Sequence, residues 1–241
     1  MKRSNSVSGL SFWEHLEELR SVLLKSLAAW LIASVAAFCF KQPLFELIFR
    51  PLESGQQLIN IDVTAQFFTH MQVALCVGFV IALPLIVAWL YGFVAPALYD
   101  KEKRHAAPIL IWGTFLFVLG VLMNYFVIFP FSFRFLNNYQ VYEEVKNQIS
   151  LSSYISTLLM LSILMGILFE IPIVNYLLAK AGLLQAETLK KYRRHAIVAI
   201  AIVAAVITPT GDAVTLMLVT LPIYLLYEAS ILIVKRTNSK S

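Results

Sequence analysis

Residues 67–94 read FFTHMQVALCVGFVIALPLIVAWLYGFV, and this stretch decides the class of the fold. It contains no Asp, Glu, Lys or Arg. A helix needs roughly 20 apolar residues to cross about 30 Å of hydrocarbon. The stretch is therefore long enough to span a membrane as a helix.

Similar apolar runs recur along the rest of the chain, in which 59% of the residues are hydrophobic, 14% are charged and the mean hydropathy is +0.77. The runs are continuous, which excludes the in-and-out alternation of a membrane β-barrel. We therefore predict an all-α integral membrane protein, a single membrane domain over residues 1–241. Its six transmembrane helices are expected at approximately 22–40, 67–94, 109–131, 154–179, 196–207 and 213–234.

The Lys and Arg residues divide unequally between the two sides of this topology. The two termini and the second and fourth loops hold fifteen of the nineteen, and the first and third loops hold Lys41, Arg50, Arg134 and Lys146. By the positive-inside rule, both termini should be cytoplasmic. The net charge of +5 reflects this bias, and no nucleic-acid-binding motif accompanies it.

The fifth run is unusually short. Twelve uncharged residues, 196–207, would extend only about 18 Å as a helix, which is less than the thickness of the hydrocarbon. Either the membrane thins locally or the rest of the protein shields the segment. We expect short fifth and sixth helices in a concave bundle.

An acidic residue, Glu170, interrupts the fourth run within GILFEIP, residues 166–172. An ionised side chain in hydrocarbon costs on the order of 3 kcal/mol. Pro172 removes one helix hydrogen bond and can bend the chain, so Glu170 could face a hydrated concavity. A protonated carboxyl group, hydrogen-bonded to another helix, is the alternative.

The segment 12–20, FWEHLEELR, precedes the first run and has apolar residues on one helical face. We interpret it as a cytoplasmic amphipathic helix that leads into the first span, which makes a cleavable signal peptide improbable. Its acids could await a cationic partner or form a solvated face. This segment contains no metal-binding motif, and Cys39 and Cys76 are isolated from each other and from histidines in the sequence. We therefore expect no metal and no cofactor.

Four motifs in order resemble the TatC family, the multispanning receptor subunit of the twin-arginine, or Sec-independent, protein translocase. They are HLEELR at 15–20, FVAPALY at 93–99, FEIP at 169–172 and ITP at 207–209 with Asp212 shortly after. The resemblance covers about residues 10–235. It implies six spans, which agrees with the pattern of apolar runs.

The resemblance also implies a function and its residues. Glu18 and Glu102 match the acids that contact the arginine pair of a signal peptide, and a carboxylate can accept a guanidinium bidentately. Further matches with supporting or translocation roles are Arg20, Pro51, Phe93, Glu170 and Asp212. The implied partners are TatA-like and TatB-like single-span subunits, further copies of the chain within a receptor complex, and the lipid bilayer, with transport driven by the protonmotive force.

Two other functions compete with this interpretation. A secondary transporter using Glu170 would have internal repeats and paired broken helices, and no convincing repeat relates the halves. An intramembrane protease would need a catalytic constellation, whereas Asp212 is isolated in its region. We therefore expect a non-enzymatic translocase subunit in a bacterial cytoplasmic membrane, a thylakoid membrane being the second choice.

Overall fold

The computed structural model describes residues 12–52, 58–94, 106–139, 142, 147–208 and 212–238. Within these ranges the all-helical prediction is confirmed. The elements are α1 (Phe12–Cys39), α2 (Lys41–Phe49), α3 (Ala65–Val94), α4 (Ala106–Met123), a π-helical turn (Asn124–Ile128), α5 (Phe129–Asn138), α6 (Leu151–Phe169), α7 (Ile171–Lys180), α8 (Ala186–Lys191), α9 (Arg193–Ile207) and α10 (Ala213–Asn238).

Five helical stretches of the described chain are long and apolar enough to cross a membrane. They are His15–Cys39, Ala65–Phe93, Ile109–Asn138, Leu151–Lys180 and Ala213–Asn238. The first begins inside the amphipathic segment, because α1 continues without a break from that segment into the apolar run. The chain is therefore a multi-pass membrane protein.

The last two helices differ strongly in length. Helix α9 has 15 residues, about 22 Å, and is not among the five candidate spans. Helix α10 has 26 residues, so the prediction of a short sixth helix is wrong. It extends through the basic residues Lys235 and Arg236 in its last turn, where positive charge favours a helix end.

Glycines let the long helices approach closely. Helix α1 packs along α3, where the absence of a Cβ at Gly78 leaves room for the backbone of Ser34, and Trp30 Nε1 donates a hydrogen bond of 2.8 Å to the Leu75 carbonyl. Between α4 and α6, Gly120 lies against the Met165 backbone. Small residues at such contacts are typical of helix packing in membranes.

Two tyrosines fasten the short helix α2 to the bundle. Tyr154 of α6 donates its hydroxyl to the Ile48 carbonyl at 3.0 Å, and Tyr125 of the π-helical turn donates to the Leu47 carbonyl. An isolated parallel bridge between Ile59 and Ser150 joins the two loops at the same end of the bundle. The first and third loops thus contain ordered structure in the part of the chain that is described.

Polar contacts fasten α8 and α9 to α10. Arg193 at the start of α9 forms an ion pair with Glu228 at 2.6 Å, and the Tyr224 hydroxyl also donates to Glu228 at 3.0 Å. Tyr227 donates to the Leu189 carbonyl of α8 at 2.7 Å. The ion pair therefore joins the first residue of α9 to α10, in addition to the apolar packing of Ala204 with Val219 and Ile223.

Candidate functional site

Glu18 lies on the amphipathic beginning of α1. Its side chain is 40% exposed, and Oε2 of the carboxylate lies 3.8 Å from Nδ1 of His15, whose side chain is 44% exposed. The two residues are three apart, a spacing that brings side chains together on one face of a helix. Glu18 is therefore accessible to a ligand, and the imidazole of His15 lies beside its carboxylate.

His15 also contacts the C-terminal end of α3. Its ring stacks on that of Phe93, with centroids 4.2 Å apart and planes inclined by 16°. Phe93 lies in the last turn of α3, immediately before the loop that carries Glu102. An aromatic contact that sequence reasoning missed therefore joins the segment of Glu18 to the helix that precedes the Glu102 loop.

Glu17 and Arg20, two other charged residues of the segment, point in other directions than Glu18. Successive residues of a helix are separated by about 100° around its axis, so Glu17 and Arg20 cannot share the direction of Glu18. Both side chains are exposed. Arg20 keeps its predicted supporting role as a hypothesis, and Glu17 provides a natural comparison for Glu18.

The second predicted ligand of the arginine pair, Glu102, lies outside the described residues. The same is true of the loop around it, 95–105. The spatial relationship of Glu102 to Glu18 is therefore inferred from the sequence alone. The described part of the site consists of Glu18, His15 and Phe93.

Glu170 occupies a break between α6 and α7. The helix ends at Phe169, Pro172 is the second residue of α7, and the backbone N–H groups of Ile173 and Val174 donate to the Glu170 carbonyl at 3.0 Å each. The side chain is half-buried beside Gly113, where a Cβ would come within 3.4 Å of Glu170 Oε2. Glycine on α4 thus leaves space for an acid inside a candidate span.

Pro51 and Asp212 each lie beside the end of a helix. Pro51 is half-buried in the turn that follows α2. Asp212 precedes α10, and its Oδ1 accepts a 2.7 Å hydrogen bond from the Thr215 N–H. This contact is an N-cap, which stabilises the start of a helix. The positions of Pro51 and Asp212 therefore support a role in shaping the ends of these helices. Neither residue is part of the described site around Glu18.

No group of three His, Cys, Asp or Glu side chains suited to a metal ion occurs among the described residues. Cys39 and Cys76 are free thiols. What the described site can offer chemically is an accessible carboxylate beside two stacked rings. Such a surface is suited to a cation that can also pack on an aromatic face.

Comparison with known proteins identifies the family. The model of the Sec-independent protein translocase protein (TatC) family matches residues 14–222. The chain belongs to the TatC family. A TatC protein of Aquifex aeolicus (strain VF5) is 38% identical, covering 94% of this chain and 95% of the relative. A TatC protein of Helicobacter pylori (strain 26695) is 36% identical, covering 93% and 87% respectively.

Solved TatC structures share the fold. A crystal structure described as the twin arginine translocase receptor TatC superimposes with a TM-score of 0.81 at 38% identity, covering 93% of this chain and 99% of the solved one. A second, in DDM, gives the same TM-score at 39% identity. Membership of the TatC family favours protein transport over the secondary-transporter alternative, and the resemblance to that family is confirmed.

Proposed function

We propose that this chain is the receptor for twin-arginine signal peptides in a translocase that exports folded proteins across the bacterial cytoplasmic membrane. The observation that carries the proposal is the accessible carboxylate of Glu18, held beside the His15 and Phe93 stack, in a chain of the TatC family. A relative of the same fold is described as the twin arginine translocase receptor. The proposed chemistry is recognition, without any bond being made or broken.

In the proposed mechanism, Glu18 and Glu102 together receive the two guanidinium groups of the signal peptide. A guanidinium presents a planar fork that matches a carboxylate, whereas an ammonium is a compact and strongly hydrated point charge. Lys-Lys should therefore be a poor substitute for Arg-Arg. The partial exposure of Glu18 allows the peptide to approach, while the neighbouring rings exclude some of the water that would screen the contact.

The rest of the proposal concerns the membrane. We propose six spans with both termini cytoplasmic, α9 being the short fifth span, in a concave bundle that forms one membrane domain. Glu170 lines the concave face, and Arg20, Pro51, Phe93 and Asp212 support recognition or translocation. TatA-like and TatB-like single-span subunits assemble with several copies of the chain, and the protonmotive force drives cargo across.

The proposal is tested by measuring the binding of two signal peptides, one with Arg-Arg and one with Lys-Lys, to the full chain in lipid nanodiscs. The wild type is compared with Glu18→Gln and Glu102→Gln, and the matched control is Glu17→Gln, which removes a neighbouring exposed acid from another direction of the same helix. We expect Glu18→Gln and Glu102→Gln each to weaken Arg-Arg binding roughly fivefold to tenfold. The control should bind as the wild type does.

Two outcomes would contradict the receptor assignment. One is equal binding of both peptides by the wild type in the presence of the single-span subunits. The other is an equal loss in all three variants, which would indicate a general effect of negative charge. Thermal unfolding of each variant distinguishes a loss of binding from a loss of folding.

A further inference from the structure

A polar cavity lies at the end of the bundle that carries the first and third loops. Its volume is about 270 Å³, and it is lined by α5, the first half of α6, the loop before α6 and one residue at the start of α10. Asn147, Gln148 and Ser153 are exposed members of this lining, whereas Leu161 and Thr215 are each 1% exposed. The cavity therefore leads from an exposed polar mouth to a buried floor.

The floor of this cavity belongs to the membrane-spanning part of the chain. Leu161 is ten residues beyond the first residue of α6, which places it about 15 Å along that helix. Ser132 and Thr215, which also line the cavity, belong to the candidate spans Ile109–Asn138 and Ala213–Asn238. The cavity therefore enters the bundle between three candidate spans.

Two hydroxyl groups of the lining have no hydrogen-bond partner in the part of the chain that the structure describes. They belong to Ser132 of α5, which is 5% exposed, and to Thr215 of α10. The hydroxyl of Tyr154, whose ring also lines the cavity, differs because it donates to the Ile48 carbonyl. An unpaired buried hydroxyl destabilises a folded protein. Ser132 and Thr215 therefore favour a small partner that can both donate and accept a hydrogen bond.

We propose that this cavity is a binding site for a cluster of ordered water molecules that hydrogen-bond the hydroxyls of Ser132 and Thr215. Buried water occupies sites that are polar and large enough, and at roughly 30 Å³ for each molecule the cavity accommodates several. An acyl chain fits less well, because it would leave both hydroxyls unpaired and would cover the polar side chains of the mouth. The inference depends on the packing of the helices, and it does not require the proposed binding of signal peptides.

The first test is X-ray hydroxyl-radical footprinting of the full chain in lipid nanodiscs, because radicals formed from bound water label the side chains beside it. Phe129 lines the cavity and is 2% exposed. The matched control is Phe117, which is also 2% exposed and does not line the cavity. We expect Phe129 to be labelled roughly fivefold faster than Phe117, and Ser132→Ala or Thr215→Val to slow the labelling of Phe129. Equally slow labelling of both rings in the wild type would overturn the proposal, since the cavity would then be dry or filled by an acyl chain.

The second test is thermal unfolding of Thr215→Val, which keeps the shape of the side chain and removes its hydroxyl. The matched control is Thr220→Val on the same helix, because the Thr220 hydroxyl is also buried without a partner among the described residues but does not line the cavity. If water binds the Thr215 hydroxyl, Thr215→Val should lower the unfolding midpoint by roughly 2–4 °C, whereas Thr220→Val should leave the midpoint unchanged or raise it. A midpoint for Thr215→Val that equals or exceeds that of the control would also overturn the proposal, because it would show that the Thr215 hydroxyl is not hydrated.

Discussion

The imidazole of His15 is stacked on the phenyl ring of Phe93, with 4.2 Å between the ring centroids and an angle of 16° between the planes. Nδ1 of the same imidazole lies 3.8 Å from Oε2 of the Glu18 carboxylate. One side chain therefore connects the carboxylate on α1 to the last turn of α3. The stack adds to the packing of α1 along α3, at the end of α3 that leads into the Glu102 loop.

This contact predicts that His15 and Phe93 act together in signal-peptide binding. Aromatic pairs contribute about 0.5–1.5 kcal/mol beyond their burial, so Phe93→Leu and His15→Leu should each weaken Arg-Arg peptide binding roughly twofold to tenfold. Because either change alone removes the stack, the double variant should lose little more than a single variant. Dissociation constants measured in nanodiscs form the double-mutant cycle.

Two further variants separate the stack from general effects. His15→Phe keeps a ring against Phe93 and should bind better than His15→Leu. Phe131→Leu removes an aromatic side chain that is 59% exposed on another helix, and it should leave binding unchanged. Strictly additive losses in the His15 and Phe93 cycle would show that the two rings act independently.

A second prediction concerns Glu170, which is half-buried inside the candidate span Leu151–Lys180. Gln has nearly the same shape and no ionisable group, so Glu170→Gln removes a source of desolvation cost. We expect its unfolding temperature to equal or exceed that of the wild type, while export of a twin-arginine cargo falls and peptide binding stays constant. Glu187→Gln, at an exposed acid of α8, is the control and should alter none of the three.

The measurements are thermal unfolding in detergent, peptide binding in nanodiscs and export in cells that contain the variant as their only copy. A clearly lower unfolding temperature for Glu170→Gln would assign the carboxylate a structural role. Normal export would remove Glu170 from the proposed translocation pathway. Reduced export with intact folding and binding places its contribution after recognition.

The sequence predicts the helical class of this protein well, but it does not determine how each helix ends. Pro172 coincides with a break after α6, whereas Pro84 and Pro222 lie inside continuous helices. A proline only removes a hydrogen bond and adds a steric conflict, so the surrounding packing decides whether the helix stops. The π-helical turn at Asn124–Ile128 had no recognisable sequence signal.

The sequence likewise predicts only part of the candidate site. The amphipathic pattern around Glu18 is local, and the sequence could predict it. The stack of His15 on Phe93 and the ion pair of Arg193 with Glu228 join residues that are far apart in the chain, so they depend on how the helices pack. No propensity or spacing rule contains that information. Without an approximate three-dimensional arrangement, these partners could not have been chosen.

A final prediction uses three glycines as a measure of helix packing. A Cβ at Gly120 would stand 2.5 Å from the Met165 carbonyl oxygen and 2.9 Å from the Phe169 ring, at the contact of α4 with α6. A Cβ at Gly113 would meet Glu170 Oε2 at 3.4 Å and Ile173 Cδ1 at 3.6 Å, which are ordinary contact distances. Among the described residues, a Cβ at Gly92 would meet nothing within 4 Å. The three positions therefore differ in the space available for one methyl group.

We expect Gly120→Ala to lower the free energy of unfolding by about 1–3 kcal/mol, because the nearest opposing atom belongs to the Met165 backbone and cannot rotate away. Gly113→Ala should have a small effect, and Gly92→Ala should stabilise the helix by about 0.5–1 kcal/mol because alanine restricts the unfolded chain. Unfolding in detergent, followed by circular dichroism, ranks the three variants. If Gly120→Ala were as stable as Gly92→Ala, α4 and α6 could not be as close as the Gly120 contact requires, and the helix pair beside Glu170 would have to be more loosely packed.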